Sequence, residues 1–371
     1  MKTSLTGEAL CQKLDTQLAT KVDYLADTQK INFLNDVYAF DGNKEIVKND
    51  FSLAFETSEG NRVFKLNEIA HGQVASRLQI PKKYYDRMRT DSPDLLRENV
   101  SHWFNNEPET RMVRTLGGDT ARAFLSDKYR PLDNWDLAQA VIPTLIDHKA
   151  EIVSCDITET RMYIKAINYQ SQGEVEVGQP VASGVIVSNS EVGQGALFVA
   201  PYLERLICKN GMVVNDWAKR KYHVGAKNSD GLSFDKAYQL FTDSTKKATD
   251  EAFWMQVRDL VNAALDPEQL EGILAPMRNG IHRTMNGSAI DAMPTIEKNL
   301  GLDASEKKGI LENLLKGDLG KSQWGLANAI TRHAEDVESY DRATELEAIG
   351  YTVATQSERE FCKTVGQTIQ L

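Results

Sequence analysis

The chain reads as an α+β protein: a central antiparallel-type sheet with packed helices, followed by a mostly helical C-terminal region. Three observations predict this. Apolar residues alternate with polar ones in paired runs through the middle of the chain, as in "EIVSCDITETRMYIKAINY". Apolar residues recur at helical spacing near the N-terminus and again from residue 233 onward, as in "SFDKAYQLFTDSTKKATDEAFWMQVRDLVNAAL". No solenoid-length repeat and no low-complexity tract interrupts the pattern.

The elements follow in order. Leu5, Ala9, Leu10, Leu14 and Leu18 share one face of a helix over 4–18. Phe51, Leu53 and Phe55 alternate, "SEGN" turns the chain, and Val63, Phe64 and Leu66 return, which is a hairpin. Asn67 caps a helix over "NEIAHGQVASRL". Two more helices start near Pro81 and after Ser92-Pro93. Two strands flank Gly117-Gly118, and a helix follows Pro131, with Pro143 inside it as a kink or a stop. A second hairpin spans 151–169, and a β-rich run over 183–214 bends at Gly193 and Gly195. Asn210-Gly211 predicts a tight type I′ turn within that run. The domains are therefore expected at 1–110, 111–232 and 233–371.

At 371 residues and 41% hydrophobic content, the chain has enough apolar residues for a sizeable core. No apolar run is long enough to cross a membrane, and the N-terminus lacks a secretory h-region. Cys11, Cys155, Cys208 and Cys362 are far apart with no CxxC pair, as in a protein of a reducing cytoplasm. No two of the histidines His71, His102, His148, His223, His282 and His333 stand three or four residues apart, so no compact metal motif is present; they read as surface or half-buried imidazoles. There is no GxxxxGK[ST] and no GxSxG. No cofactor, metal or catalytic nucleophile is expected. Cys208 beside Lys209 reads as a half-buried strand cysteine rather than an activated thiol.

What remains is charge. The formal net charge is −10, which argues against indiscriminate coating of nucleic acid but leaves room for a confined basic groove. Cations gather beside aromatics in three places: "PKKYYDRMR", the stretch 111–130, and "RLICKNGMVVNDWAKRKYHVGAK". Single-stranded nucleic acid is held by such a combination, with bases stacked on aromatic rings. The candidate phosphate contacts are Arg111, Arg114, Arg122, Lys128, Arg130, Arg205, Lys209, Lys219, Arg220 and Lys221, with Trp217 and Tyr222 as stacking platforms. The alternative is that these cations only solvate outer faces. At the corner "LSDKYRPLDN", Asp133 or Asn134 is expected to cap the next helix, and Arg130 to pair with Asp127 or Asp133.

Three blocks, "RAFLSDKYRPLDN", "VSNSEVGQGALFVAPYLERLICKNGMVV" and "WGLANAITRHAEDVESYDRATELEAIG", resemble the phage and plasmid-like family called domain of unknown function 932. The resemblance runs from about residue 66 to 350. It implies a mobile element in a bacterial host cell and a cytoplasmic protein. It brings no catalytic residues. It leaves open a kinship with single-strand annealing proteins, which work as oligomeric rings. The leading expectation is a protein that binds single-stranded DNA and promotes annealing in recombination or replication, with a homo-oligomer as the working form. One alternative is a non-enzymatic interaction protein acting on host defence or as accessory to a phage machine. Another is a metal-dependent nuclease using Glu151, Asp156 and Glu159.

Overall fold

The computed structural model describes residues 4–41, 44–215, 219–221, 243–317 and 319–367. Helix α1 (Gly7–Thr20) starts at Thr6, whose side chain accepts from the Ala9 N–H, and buries Leu10 and Leu14. Strand β1 (Val22–Asp27), a short 3₁₀ turn, β2 (Asn32–Asp41), β3 (Lys44–Thr57) and β4 (Gly60–Leu66) follow. Asn67 caps α2 (Glu68–Arg77) through its side chain. Helices α3 (Lys82–Asp91) and α4 (Pro93–Asn106) lead to β5 (Thr110–Leu116) and β6 (Thr120–Ser126). Gly117 and Gly118 both take positive φ, +67° and +86°, in the turn between them.

Six strands form the first sheet, in the order β1-β5-β6-β4-β3-β2. All pairs are antiparallel except the short parallel contact of β4 with β6. Because β5 and β6 pair with β1 and β4, this sheet runs across the boundary expected at residues 110 and 111. One face carries Phe33, Phe51, Phe55, Phe64 and Phe124 against α2, α3 and α4. The Phe33 and Phe51 rings stack at 5.1 Å, and Phe104 stacks on Phe124 at 5.7 Å.

Helix α5 (Asn134–Asp147) leads into the second sheet, with Pro143 inside the helix. Strands β7 (Glu151–Ile157), β8 (Met162–Glu174), β9 (Pro180–Asn189), β10 (Leu197–Arg205) and β11 (Asn210–Val213) pair in sequence order, and β12 (Lys219–Lys221) pairs with β10. The first six residues of β8 are all buried because the strand is covered on both faces. Met162, Ile164 and Ala166 pack with α1, α5 and α6 (Asp243–Ala264). Tyr163 and Ile167 pack on the other side with Tyr340.

The C-terminal third is helical, as expected: α7 (Pro267–Gly280), α8 (Ala289–Leu300), α9 (Ala304–Lys316), α10 (Gln323–Ala334), α11 (Tyr340–Thr355) and α12 (Glu358–Val365). Their shared core takes in Val181, Leu203 and Met212 from the second sheet. No helix among the described residues is long and apolar enough to cross a membrane.

Asn210-Gly211 is not a turn. Arg205 pairs with Asn210 and Glu204 with Gly211, so both belong to β11, and residues 206–209 close the hairpin with Lys209 at φ +54°. Cys208 accordingly lies in this loop, half-buried, and not on a strand. Tertiary contacts select this arrangement over the local turn preference. A Cβ at Gly211 would fall 1.6 Å from the Tyr202 hydroxyl. The Asn210 amide donates to Asn328 Oδ1 at 3.1 Å and to Thr331 Oγ1. These are the two polar residues that interrupt the apolar face of α10.

Candidate functional site

Arg114 sits on β5 directly across from Asp23 on β1. Its side chain is 0% exposed. Nε donates to Asp23 Oδ1 at 2.8 Å, Nη2 to Asp133 Oδ1 at 2.8 Å, and Nη1 to the Glu191 carbonyl at 2.9 Å. Burial alone would lower the guanidinium pKa, but the two carboxylates raise it above its ordinary value. Burial likewise works against the Asp133 carboxylate, yet Arg114 and Lys21 hold it below the usual range. Lys21 Nζ lies 2.6 Å from Asp133 Oδ2.

Glu191, 4% exposed, closes the network. Arg122 Nη2 stands 2.6 Å from its Oε2, and the Asn134 N–H donates to Oε1 at 2.7 Å. Asp133 is the N-cap residue of α5, but its side chain makes no capping bond. A carboxylate from the loop after β9 takes that role, which suits the positive end of a helix. The group ties β1, β5, β6, α5 and the loop after β9 together. Beside it lies a cavity of about 340 Å³ with Arg122 and Glu191 in its wall.

Five of the ten cations expected at phosphates, Arg111, Arg114, Arg122, Arg130 and Arg205, are engaged within the protein. Arg114 and Arg122 are buried in ion pairs, so that expectation is corrected for them, and Arg205 is buried in the wall of a small cavity rather than set on an open basic groove. Arg205 Nε donates to Gln179 Oε1 at 2.9 Å, and its Nη1 lies 3.2 Å from Cys208 Sγ. Arg111 is half-buried, 5.2 Å over the Phe124 ring and 3.5 Å from Glu109; burial lowers its pKa. Arg130 pairs with neither Asp127 nor Asp133 but with Asp250 of α6, over the Phe253 ring. For Arg114, Arg122 and Arg130 the acid partner comes from another element, packed against the cation by the tertiary fold. Lys128 and Lys209 are exposed. Trp217 and Tyr222 lie outside the described residues.

Lys219, Arg220 and Lys221 form β12, whose backbone pairs with Val199, Phe198 and Leu197 of β10. They belong to the second sheet, and Arg111, Arg114 and Arg122 to the first, so the two basic segments do not share a sheet. Next to β12, a groove of about 730 Å³ runs between the second sheet and the first turns of α11. Phe198, Tyr163, Ser188 and Arg161 line it from the sheet side. Arg161 Nη2 donates to the Gln194 carbonyl at 2.9 Å. From α11 come Asp341, Arg342 and Glu345. Arg342 is engaged by Glu306, at 2.7 and 2.8 Å, and by Glu345 at 2.8 Å. Asp341 accepts from the Thr158 and Thr160 hydroxyls.

Other titratable groups are structural. His71, expected at the surface or half-buried, is fully buried, with Nδ1 2.9 Å from the Tyr85 hydroxyl. Burial, then Arg89 and Lys82, lower its pKa to about 3. Lys165 and Glu347 form an ion pair, both 0% exposed, roofed by the Tyr202 and Tyr340 rings. A lone lysine inside the apolar run "MYIKAI" is the sequence signal that could have marked it, and it was missed. Among the described residues no three His, Cys, Asp or Glu side chains converge as metal ligands, and Glu151, Asp156 and Glu159 form no such group. No protein-family model, no curated protein and no solved structure matches this chain.

Proposed function

We propose that the protein binds single-stranded DNA along the groove beside β12, without making or breaking a covalent bond. The observation that carries the reading is the pairing of Lys219–Lys221 with Leu197–Val199, which puts Arg220 in register with Phe198, a residue that lines the groove with Tyr163 and Arg161. A run of cations tracks a phosphate backbone, and each base stacked on an aromatic face adds about 1–3 kcal/mol. Asp341 and Glu345 on the far wall limit how many phosphates the groove accepts, so binding is moderate and sensitive to salt.

The resemblance to the phage and plasmid family supplies the setting, recombination or replication on a mobile element. Strand annealing is the extension of this reading, and it calls for more than one protomer. Fluorescence anisotropy with a labelled poly-dT oligonucleotide tests the binding step. Saturable binding at low salt, weakened by joint replacement of Lys219, Arg220 and Lys221 with alanine, supports it. Absence of binding at low salt removes it.

A further inference from the structure

A second cavity, of about 200 Å³, lies between the β10–β11 loop and the α9–α10 connection. Arg205, Lys316 and Arg332 line it, together with the carboxamides of Asn210, Asn313 and Asn328. No carboxylate lines it among the described residues. The whole chain carries 53 acidic against 43 basic side chains, so three cations in the described part of one wall stand out from the protein's average.

The cations are held from different elements. Arg205 ends β10 and is braced by Gln179 and the Cys208 thiol. Arg332 comes from α10, exposed, with Nη1 3.4 Å from the Cys208 carbonyl. Lys316 closes α9 and is 76% exposed, its 3.3 Å contact to Glu312 being a surface pair of the weak kind. Beneath them the Asn210 amide bonds to Asn328 and Thr331, which holds the strand against the helix and keeps the cavity's shape. Gly317, Gly320 and Gly325 bring backbone to the wall, and Cys208, Leu314, Leu319 and Ala329 complete it.

We propose that this cavity binds a phosphate group. Two guanidinium groups and an ammonium match the charge and the several acceptor oxygens of phosphate. The volume lies below the roughly 300–1,000 Å³ of sites for drug-sized ligands, so it takes a phosphoryl group and not a base and sugar with it. The group is a free inorganic phosphate or the terminal phosphomonoester of a strand. The inference does not depend on the groove beside β12.

Isothermal titration of the full chain with inorganic phosphate at low ionic strength tests it. Saturable binding is expected, at least tenfold weaker in a Lys316→Ala/Arg332→Ala variant; both side chains are exposed, so the fold is spared. Joint alanine replacement of Lys219, Arg220 and Lys221 leaves the phosphate affinity unchanged, which separates this site from the groove. A 5′-phosphorylated oligonucleotide that displaces phosphate, where its 5′-hydroxyl twin does not, assigns the site to strand ends. Phosphate binding without such displacement assigns it to the free anion. No saturable binding of phosphate, or equal affinity in the double variant, overturns the proposal.

Discussion

Arg122 Nη2 lies 2.6 Å from Glu191 Oε2, although Arg122 is on the first sheet and Glu191 follows the last residue of β9 in the second. The contact joins the two sheets through a carboxylate that also receives the first N–H of α5. Replacing Glu191 with alanine leaves Arg122 buried without its acid and removes one partner of Lys21. Breaking one side of a buried pair costs about 3–5 kcal/mol. Urea denaturation of Glu191→Ala should show a loss of that order with an unchanged m-value. A loss below about 1 kcal/mol would mean that the network is not a stabilising junction.

Lys165 and Glu347 allow a sharper comparison, because both are fully buried and join β8 to α11. Lys165→Ala should destabilise by about 3–5 kcal/mol, since Glu347 then loses the buried cation it pairs with. Lys165→Met combined with Glu347→Leu should recover most of that, as apolar replacement of a whole buried pair is often neutral or better. Thermal or urea melts of Lys165→Met, Glu347→Leu and their double close the cycle. A double variant as unstable as the sum of its parts would contradict the reading.

Acid sensitivity follows from His71 and Asp133. The folded pKa of His71 is about 3 against its ordinary 6.5, so the unfolded chain binds the extra proton between those values. The neutral-state stability is therefore complete above pH 6.5 and declines as pH falls toward 3, by up to about 1.4 kcal/mol per pH unit. Asp133 has its folded pKa below 3.8, so its contribution is present above that value and is lost as pH falls further. Unfolding free energy measured from pH 7 to 4 should drop along this course, and a His71→Gln variant should flatten the part between pH 6.5 and 4. An unchanged slope in that variant would contradict the assignment.

Asn210 tests the reading of the β10–β11 hairpin. Its amide serves Asn328 and Thr331 inside the molecule. Asn210→Ala should cost about 1–3 kcal/mol, as buried polar partners lose their bonds. The same substitution in a solvent-exposed turn would cost far less. Equilibrium unfolding of this variant distinguishes the two.

Much of the architecture is visible in residue order. The hairpin around Gly117-Gly118 is legible because two adjacent glycines supply the positive φ that its turn needs. Asn67, Pro81 and Ser92-Pro93 mark helix starts through local chemistry. Asn210-Gly211 misleads because the same dipeptide serves a long-range purpose, its partners lying 118 and 121 residues away. The cations mislead for a related reason. Arg114 looks like a surface base until Asp23, 91 residues earlier, and Asp133 are placed beside it. Charge is written in the sequence, but burial is not. The acid that takes Arg122, Glu191 in "NSEVGQG", carries no local mark of its role beyond being the single acid in that run.

The central claim is that single-stranded DNA is held beside β12 and not by the hairpin of β5 and β6. The most direct measurement is the salt dependence of oligonucleotide binding in the wild type, in the Lys219→Ala/Arg220→Ala/Lys221→Ala variant and in Lys128→Ala. Each phosphate contact on a single strand contributes about 0.7 to the slope of log affinity against log salt. The account predicts that the triple variant binds more weakly and loses about 0.7 units of slope, the share of one contact from Arg220 in register with Phe198, while Lys128→Ala follows the wild type. A triple variant with wild-type affinity and slope, or a larger loss from Lys128→Ala, would contradict it.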